Sequence, residues 1–230
     1  MKASLGQRLA AEFLGTGFLV ASVIGSGIMG ERLAGGNAAI ALLANTIATG
    51  AALVALILAF GPISGAHFNP VVTLSDALEG GMRWKETPGY IGAQVLGAMG
   101  GAIVAHGMFT LPVVSLSQHA RSGAAQLFSE FVATFGLMCV IWGCARRRPD
   151  AVAFAVGAYI TAAYWFTAST SFANPAVTIG RALSNTFAGI RPQDVPGFIL
   201  AQIGGGLAAT LVFRWLQKES RVAIRENELN

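Results

Sequence analysis

The feature that most constrains this chain is an Asn-Pro motif that occurs twice, each time between long apolar stretches. The first copy lies in SGAHFNPVVTL around Asn69 and the second in TSFANPAVTIG around Asn174. Proline suits the first turn of a helix, where its missing amide hydrogen needs no partner and its fixed φ angle fits. Each motif therefore predicts a short helix beginning at Pro70 or Pro175. In a bilayer, irregular backbone before such a helix must be buried in protein or line an aqueous path.

The composition places these motifs in a membrane. Of the 230 residues, 54% are hydrophobic and 11% are charged, so polar groups are too few to cover a soluble protein of this size. Six apolar stretches reach the length of about 20 residues that a bilayer requires. They are predicted at 9–29, 37–59, 87–109, 124–145, 151–171 and 196–216. The first contains Glu12 and is too long for the core of a cleavable signal peptide.

The basic residues indicate the orientation of the chain. Eleven of the fifteen lie in the amino terminus, the second and fourth connections and the carboxyl tail, and four lie in the alternate connections. Positive charge concentrates on the cytoplasmic side, so we expect both termini there. Because the charge of +4 is explained by topology, nucleic acid is not an expected partner. The eleven are Lys2, Arg8, Arg83, Lys85, Arg146, Arg147, Arg148, Arg214, Lys218, Arg221 and Arg225; the four are Arg32, Arg121, Arg181 and Arg191.

The two halves of the chain repeat each other. AEFLGTGFLV from Ala11 is similar to SEFVATFGLM from Ser129, and YIGAQVLGAMGGA from Tyr90 is similar to FILAQIGGGLAAT from Phe198. Three spans per half is an odd number, so the repeats, about 9–109 and 124–216, have inverted topology. We expect one transmembrane channel domain over 1–230, with a cytoplasmic tail at 217–230. Small residues four apart, such as Gly97 and Gly101 or Gly204 and Ala208, predict close helix contacts.

The motifs place two asparagines opposite each other. Each would cap its helix through the side-chain oxygen, which leaves the NH2 group of Asn69 and of Asn174 to donate into the space between them. Both helix amino termini carry about half a positive charge and would meet near the midplane. Such a site repels cations and offers donors to the oxygen of a neutral solute. No metal-ligand spacing, cofactor motif or nucleophile motif is present, so an enzyme is not predicted.

These residues resemble the aquaporin and aquaglyceroporin family over essentially the whole chain. The resemblance implies an all-α membrane protein with a right-handed bundle of six transmembrane helices plus two half-helices, one pore per subunit and a homotetramer. Glu12 and Glu130 match acidic residues that the family carries in its first and fourth helices, where they support the loops before the half-helices. Those loops would turn a ladder of carbonyl groups toward the pore. The ladder comprises Gly65, Ala66, His67, Thr170, Ser171 and Phe172.

The chain departs from the family pattern at two positions. Val71 stands where alanine is usual, beside Pro70, whereas the second motif keeps Ala176; Val177 stands where most members have the arginine of their narrowest constriction. Counting back from each asparagine assigns the other constriction positions to Thr49, Ala162 and Ser171. This set has no aromatic ring, histidine or fixed cation, so it predicts a wide pore. A shift of register would instead bring in Trp165, Phe166 or Phe172.

Two further residues are candidates for the pore. Arg181 lies one helical turn beyond Val177, about 6 Å along the axis. It either reaches the outer vestibule as a substitute cation or extends to the surface or a loop carbonyl, and we favour the second. His67 would face the cytoplasmic approach to Asn69. His106 and His119 are interpreted as structural.

The sequence predicts a passive channel for small neutral solutes and water in the bacterial plasma membrane. The chain resembles bacterial aquaglyceroporins associated with arsenic resistance, which implies passage of arsenous acid and methylated trivalent arsenicals with glycerol, urea and water. A pore selective for water or ammonia is the alternative of the same fold. A coupled secondary transporter and a junction protein without conductance are weaker alternatives.

Overall fold

The structure is a computed structural model that describes residues 3–145 and 147–217. Lys2, Arg146 and the tail from Lys218, all used above for the orientation of the chain, lie outside the described residues. Within these described ranges, eight α-helices follow in chain order, with 3-10 turns at Pro149–Ala151 and Pro192–Asp194. They are α1 Leu5–Leu33, α2 Ala38–Ser64, α3 Pro70–Leu78, α4 Thr87–Met108, α5 Ala124–Ala145, α6 Val152–Phe166, α7 Pro175–Ala182 and α8 Val195–Leu216.

Six long helices surround two half-helices, which confirms the predicted fold class. Five of the described helices, α1, α2, α4, α5 and α8, are long and apolar enough to cross a membrane. The predicted span 151–171 is shorter than expected: α6 has 15 residues and ends at Phe166. Beyond Phe166 the sequence TASTS consists mostly of hydroxyl-bearing residues, and its backbone leaves the helix to form the loop before α7. The length of about 20 residues assumed for a span therefore overestimated this helix.

The half-helices α3 and α7 both begin at the proline of an Asn-Pro motif. The asparagine before each proline has extended backbone, with φ −151° at Asn69 and φ −160° at Asn174. The side-chain oxygen of Asn69 accepts the amide hydrogen of Val71, and that of Asn174 accepts those of Ala176 and Val177. These bonds satisfy amides of the first turn that have no partner within the helix. The asparagines thus fix where both half-helices start.

Ion pairs join the first and the last helix of the chain to the connection between α3 and α4. Arg8 of α1 donates to Glu86 at 2.9 Å, and Arg214 of α8 pairs with Glu79. The start of α1 and the end of α8 therefore lie on the same side of the bundle. We call this the terminal side, and the side on which α7 ends the distal side.

Glycines allow the equivalent helix pairs of the two repeats to approach closely. A Cβ on Gly97 of α4 would lie 2.3 Å from the carbonyl oxygen of Phe13 in α1. A Cβ on Gly205 of α8 would lie 2.3 Å from the carbonyl oxygen of Phe131 in α5. Such contacts are possible only without a side chain. The sequence repeat is therefore also a repeat of backbone packing.

Replacing Gly205 by alanine should lower the thermal stability of the protein in detergent, because the added methyl group must push α8 away from α5. Overpacking of this kind typically costs about 1–3 kcal/mol. Gly204→Ala is the matched control, since a Cβ there would meet only the Phe131 ring at 3.6 Å. Thermal unfolding followed by tryptophan fluorescence compares the two variants. Equal melting temperatures would contradict the close contact at Gly205.

Candidate functional site

A cavity of about 490 Å³ extends through the interior of the bundle. On the terminal side it is lined by Trp142 and Pro149, at its middle by Asn69 and Asn174, and toward the distal side by Arg181. Leucine, isoleucine and valine side chains of the long helices form most of its remaining wall, among them Leu19, Val23, Leu53, Ile57, Leu137, Ile141, Val156 and Ile160. The loops before α3 and α7 form a second wall with polar groups.

The two motif asparagines are connected through exchanged hydrogen bonds. Asn69 Nδ2 donates to the carbonyl oxygen of Ala173 at 2.8 Å, and Asn174 Nδ2 donates to the carbonyl oxygen of Phe68 at 2.8 Å. Each asparagine thus holds the residue that precedes the other. Because a side-chain amide has two hydrogens, one donor of each asparagine is used across the repeat and one is left for the cavity. The expectation that the whole NH2 group is available is therefore corrected.

Glu12 holds the loop before α3. Its Oε1 atom accepts hydrogen bonds from the hydroxyl of Ser64 at 2.7 Å and the amide of His67 at 2.9 Å. Its Oε2 atom accepts from the amide of Phe68 at 2.7 Å and from Gln94 Nε2 at 2.8 Å. The carboxylate is fully buried. These donors compensate the loss of hydration that makes an intramembrane acid unfavourable.

Glu130 holds the loop before α7 in the equivalent way. It accepts hydrogen bonds from the amides of Phe172 and Ala173, both at 2.9 Å, and from Gln202 Nε2 at 2.6 Å. Like Glu12, it is fully buried. Each half of the chain therefore uses one carboxylate to hold the irregular backbone in front of its half-helix.

The two loops share one backbone pattern: the residues four, three and one before each asparagine have positive φ, and the residue two before it does not. Ala66 and Phe68 have φ of 49° and 48°, and Ser171 and Ala173 have φ of 49° and 48°. This shared pattern lets the amides of the two residues before each asparagine point to the glutamate. Of the six residues predicted for the carbonyl ladder, five line the cavity: Gly65, Ala66, His67, Ser171 and Phe172. The sixth, Thr170, is absent from the lining; its hydroxyl accepts from Arg121 Nη1 at 3.4 Å.

Two glutamines of this framework escaped the prediction from sequence. Gln94 bridges Glu12 and the hydroxyl of Thr73, with both distances 2.8 Å. Gln202 bridges Glu130 and the hydroxyl of Thr178 at 2.9 Å. The signal was present, because these glutamines occupy matching places in YIGAQVLG and FILAQIGG. A polar residue that occurs at the same place of an apolar span in both halves of the chain indicates a hydrogen-bond partner buried in the protein.

Of the four predicted constriction residues, three line the cavity and Ala162 does not. Thr49, Ser171 and Val177 contact the cavity, whereas Ala162 is exposed on the outside of α6. The cavity face of α6 carries Ile160 and Tyr164, and the Tyr164 hydroxyl donates to Thr49 Oγ1 at 3.3 Å. Counting back from Asn174 crosses the nonhelical segment 167–173, so it cannot fix the register of α6. Ala162 is two residues from Ile160, about 200° around the helix.

Arg181 brings a cation to the distal part of the cavity and packs on Phe172, whose ring lies in a buried cluster with Ile190 and Phe198. Arg181 is almost fully buried, its Nε donates to the carbonyl oxygen of Ala188, and its Cζ lies 3.3 Å from the centre of the Phe172 ring. Both residues and Tyr164 line the cavity. The predicted set of Thr49, Ala162, Ser171 and Val177 therefore leaves out groups that line the distal part of the cavity. The two alternatives for Arg181 are also not exclusive, since it binds a loop carbonyl while facing the cavity.

His67 lies on the terminal-side wall of the cavity. Its Nδ1 is 3.1 Å from Thr73 Oγ1, and its Nε2 is 3.8 Å from a carboxylate oxygen of Asp76. His106 is fully buried and does not line the cavity, and its Nε2 is 2.8 Å from the hydroxyl of Ser184. Val71 is buried in a cluster with Met138 and Ala209, away from the cavity wall.

Comparisons with known proteins agree with this architecture. The sequence profile of the family described as Major intrinsic protein matches residues 1–150 and 145–230. The chain is 53% identical over 222 residues to the aquaglyceroporin AqpS of Rhizobium meliloti (strain 1021), covering 96% of this chain and 95% of that protein. It is 32% identical over 217 residues to aquaporin NIP6-1 of Arabidopsis thaliana, covering 88% and 68%. An aquaglyceroporin structure from Plasmodium falciparum has the same fold, with a TM-score of 0.71, 20% identity and coverage of 93% and 96%.

Proposed function

Because the chain belongs to the major intrinsic protein family, whose members are channels rather than enzymes, we propose that it conducts small neutral polyol-like solutes passively. Glycerol, urea and arsenous acid are the proposed solutes, together with methylated trivalent arsenicals and water. The pore follows the cavity between Asn69 and Asn174. The name aquaglyceroporin, borne by the relative that is 53% identical, supports this solute class.

The observation that carries the proposal is the meeting of two half-helix amino termini at the exchanged asparagine bonds. Each asparagine keeps one amide hydrogen for the cavity, and both helix dipoles direct their positive ends to the same place. A solute oxygen accepts these hydrogen bonds, whereas a cation is repelled. The site therefore favours uncharged solutes with lone pairs.

The two walls of the cavity suit solutes that are polar on one side. Loop residues such as Gly65, Ala66 and Ser171 offer backbone carbonyl acceptors, while Leu19, Val23 and the other aliphatic residues form the facing wall. A polyol presents hydroxyl groups to the first wall and its hydrocarbon side to the second. Arsenous acid is a compact neutral hydroxide at neutral pH and meets the same donors and acceptors.

We further propose a homotetramer in the bacterial plasma membrane, with the terminal side in the cytoplasm. The charge bias of the sequence supports this orientation. Large apolar side chains on the outside of the bundle support contact with lipid or neighbouring subunits, among them Phe18 at 57%, Phe128 at 69% and Trp215 at 74% exposure.

Permeability measurements on proteoliposomes test the solute class. Stopped-flow light scattering is expected to show glycerol, urea and water flux well above that of protein-free vesicles, and arsenite uptake is measured in parallel. Fast water flux with glycerol and arsenite excluded would instead establish a water-selective pore. Uptake driven by a pH gradient at a fixed solute gradient would establish a coupled transporter. In the structure, the fully buried acids of the long helices, Glu12 and Glu130, are committed to loop amides.

A further inference from the structure

Two guanidinium groups lie over one aromatic ring at the distal part of the cavity. Cζ of Arg181 is 3.3 Å and Cζ of Arg121 is 5.0 Å from the centre of the Phe172 ring. On the basis of the proposed solute channel, we propose that Arg121 is a positioning residue of the pore. It fixes the Phe172 ring and Arg181. It thereby sets the size limit and the cation exclusion of the distal constriction, by which we mean the part of the cavity around Val177, Phe172 and Arg181. Arg121 itself does not line the cavity, so it acts through Phe172.

Arg121 joins three segments on the distal side. Its Nε donates to the carbonyl oxygen of Gly189 at 2.8 Å, and its Nη1 donates to that of Ser169 at 3.1 Å. Its backbone amide donates to Asp194 Oδ2 at 2.7 Å. The guanidinium therefore connects the segment after α7 to the loop that leads to Phe172. A planar group with fixed donors is suited to holding several carbonyls at once.

The two arginines use neighbouring carbonyls of the same turn. Arg181 Nε donates to Ala188, and Arg121 Nε donates to the next residue, Gly189. Gly189 allows this turn to pack against Ser117, since a Cβ there would lie 2.2 Å from Ser117 Oγ. The turn thus places both cations against the same ring. Movement of one guanidinium would alter the surroundings of the other.

In the part of the chain that the structure describes, two guanidinium groups without a direct ion pair lie at the distal constriction. Among the described residues, neither guanidinium forms an ion pair with a carboxylate; the charge of buried Glu130 acts on both, while its oxygens bind the loop amides. The side chain of Asp194 pairs instead with Arg191 at 3.0 and 3.1 Å, and this hydrogen bonding raises the pKa of Arg191. The ring face and the carbonyls stabilise the two cations without neutralising them. A permeating cation therefore meets two guanidinium groups that no direct ion pair with a described residue neutralises, although Val177 itself has no charge.

The experiment compares Arg121→Met and Arg121→Lys with the unmodified protein in proteoliposomes. Fluxes of water, glycerol and the larger polyol xylitol are measured in the same vesicles, together with proton leak under an applied potential. For Arg121→Met we expect a several-fold rise in the ratio of xylitol to glycerol flux and an increased leak, with water flux retained. Arg121→Lys should keep cation exclusion, because the charge remains, while the size limit relaxes. Arg32→Met is the control, since Arg32 lies over Phe109 at 5.1 Å outside the cavity.

A double-mutant cycle separates positioning from general stability. If Arg121 acts through the ring, Arg121→Met should add little to the flux ratio of Phe172→Leu, although each single change raises it. Additive effects, or an Arg121→Met ratio and leak equal to those of Arg32→Met, would overturn the proposal. If Arg121→Met does not elute as folded protein, the ratio of xylitol to glycerol flux of Arg121→Lys still tests the proposal. Absence of glycerol flux in the unmodified protein would refute the proposed solute class, whereas the leak measurement would still test Arg121.

Discussion

Replacing Glu130 by glutamine is expected to destabilise the protein strongly and to abolish its solute flux. The carboxylate accepts three hydrogen bonds, from the amides of Phe172 and Ala173 and from Gln202. A glutamine places an NH2 donor against at least one of these donors. Each buried polar group left without a partner costs about 1–3 kcal/mol. The loop before α7 should then lose its conformation, and with it the position of Asn174.

Thermal unfolding in detergent and stopped-flow water permeability measure these two effects. Glu31→Gln is the matched control, because Glu31 is exposed near the end of α1. Glu12→Gln should reproduce the defect of Glu130→Gln, since Glu12 holds the equivalent loop in the first repeat. Stability and flux of Glu130→Gln close to those of Glu31→Gln would show that the carboxylate does not support the loop.

Replacing Val177 by arginine should reduce glycerol flux at least about tenfold, an increase in the barrier of about 1.4 kcal/mol. Val177 is 5% exposed and lines the cavity one helical turn before Arg181. Positions four apart share a helix face, so the new guanidinium would extend into the cavity beside Arg181 and Tyr164. Water, as the smallest solute, should be reduced least.

Val177→Leu distinguishes size from charge, because leucine adds volume without hydrogen-bond donors. Parallel measurements of water, glycerol and arsenite flux are expected to rank the proteins as unmodified, Val177→Leu and Val177→Arg, in falling order of glycerol permeability. Glycerol flux of Val177→Arg equal to that of the unmodified protein would place the limiting constriction away from residue 177.

The sequence predicted the fold because its strongest signals are local or repeated. Length and apolarity identify the long helices, and proline and asparagine mark where α3 and α7 begin. These features depend on the nearest neighbours along the chain and on the environment of the bilayer. The same reasoning extended α6 by five residues too far, because residues 167–171 were needed to reach the length of a full span and instead belong to the loop before α7.

The distal constriction was less predictable because its residues come from separate segments. Tyr164 faces the cavity through the register of α6, which the irregular segment 167–173 disconnects from Asn174. Arg121 reaches Phe172 from the connection before α5, a long way off in sequence. Only the tertiary arrangement brings these side chains together. Gln94 and Gln202 are intermediate in predictability, because a comparison of the two repeats would have identified them although their partners lie on other helices.

The exchange of hydrogen bonds between Asn69 and Asn174 has a consequence for biosynthesis. The carbonyl of Phe68 accepts a hydrogen bond from Asn174, which is synthesised 106 positions later. The first three membrane-spanning helices therefore leave the ribosome before the loop between them has this hydrogen bond. A severed amino-terminal fragment should therefore insert without becoming permeable. Supplying the other fragment in trans would restore conduction, since the asparagine of each fragment donates the hydrogen bond that the loop of the other requires.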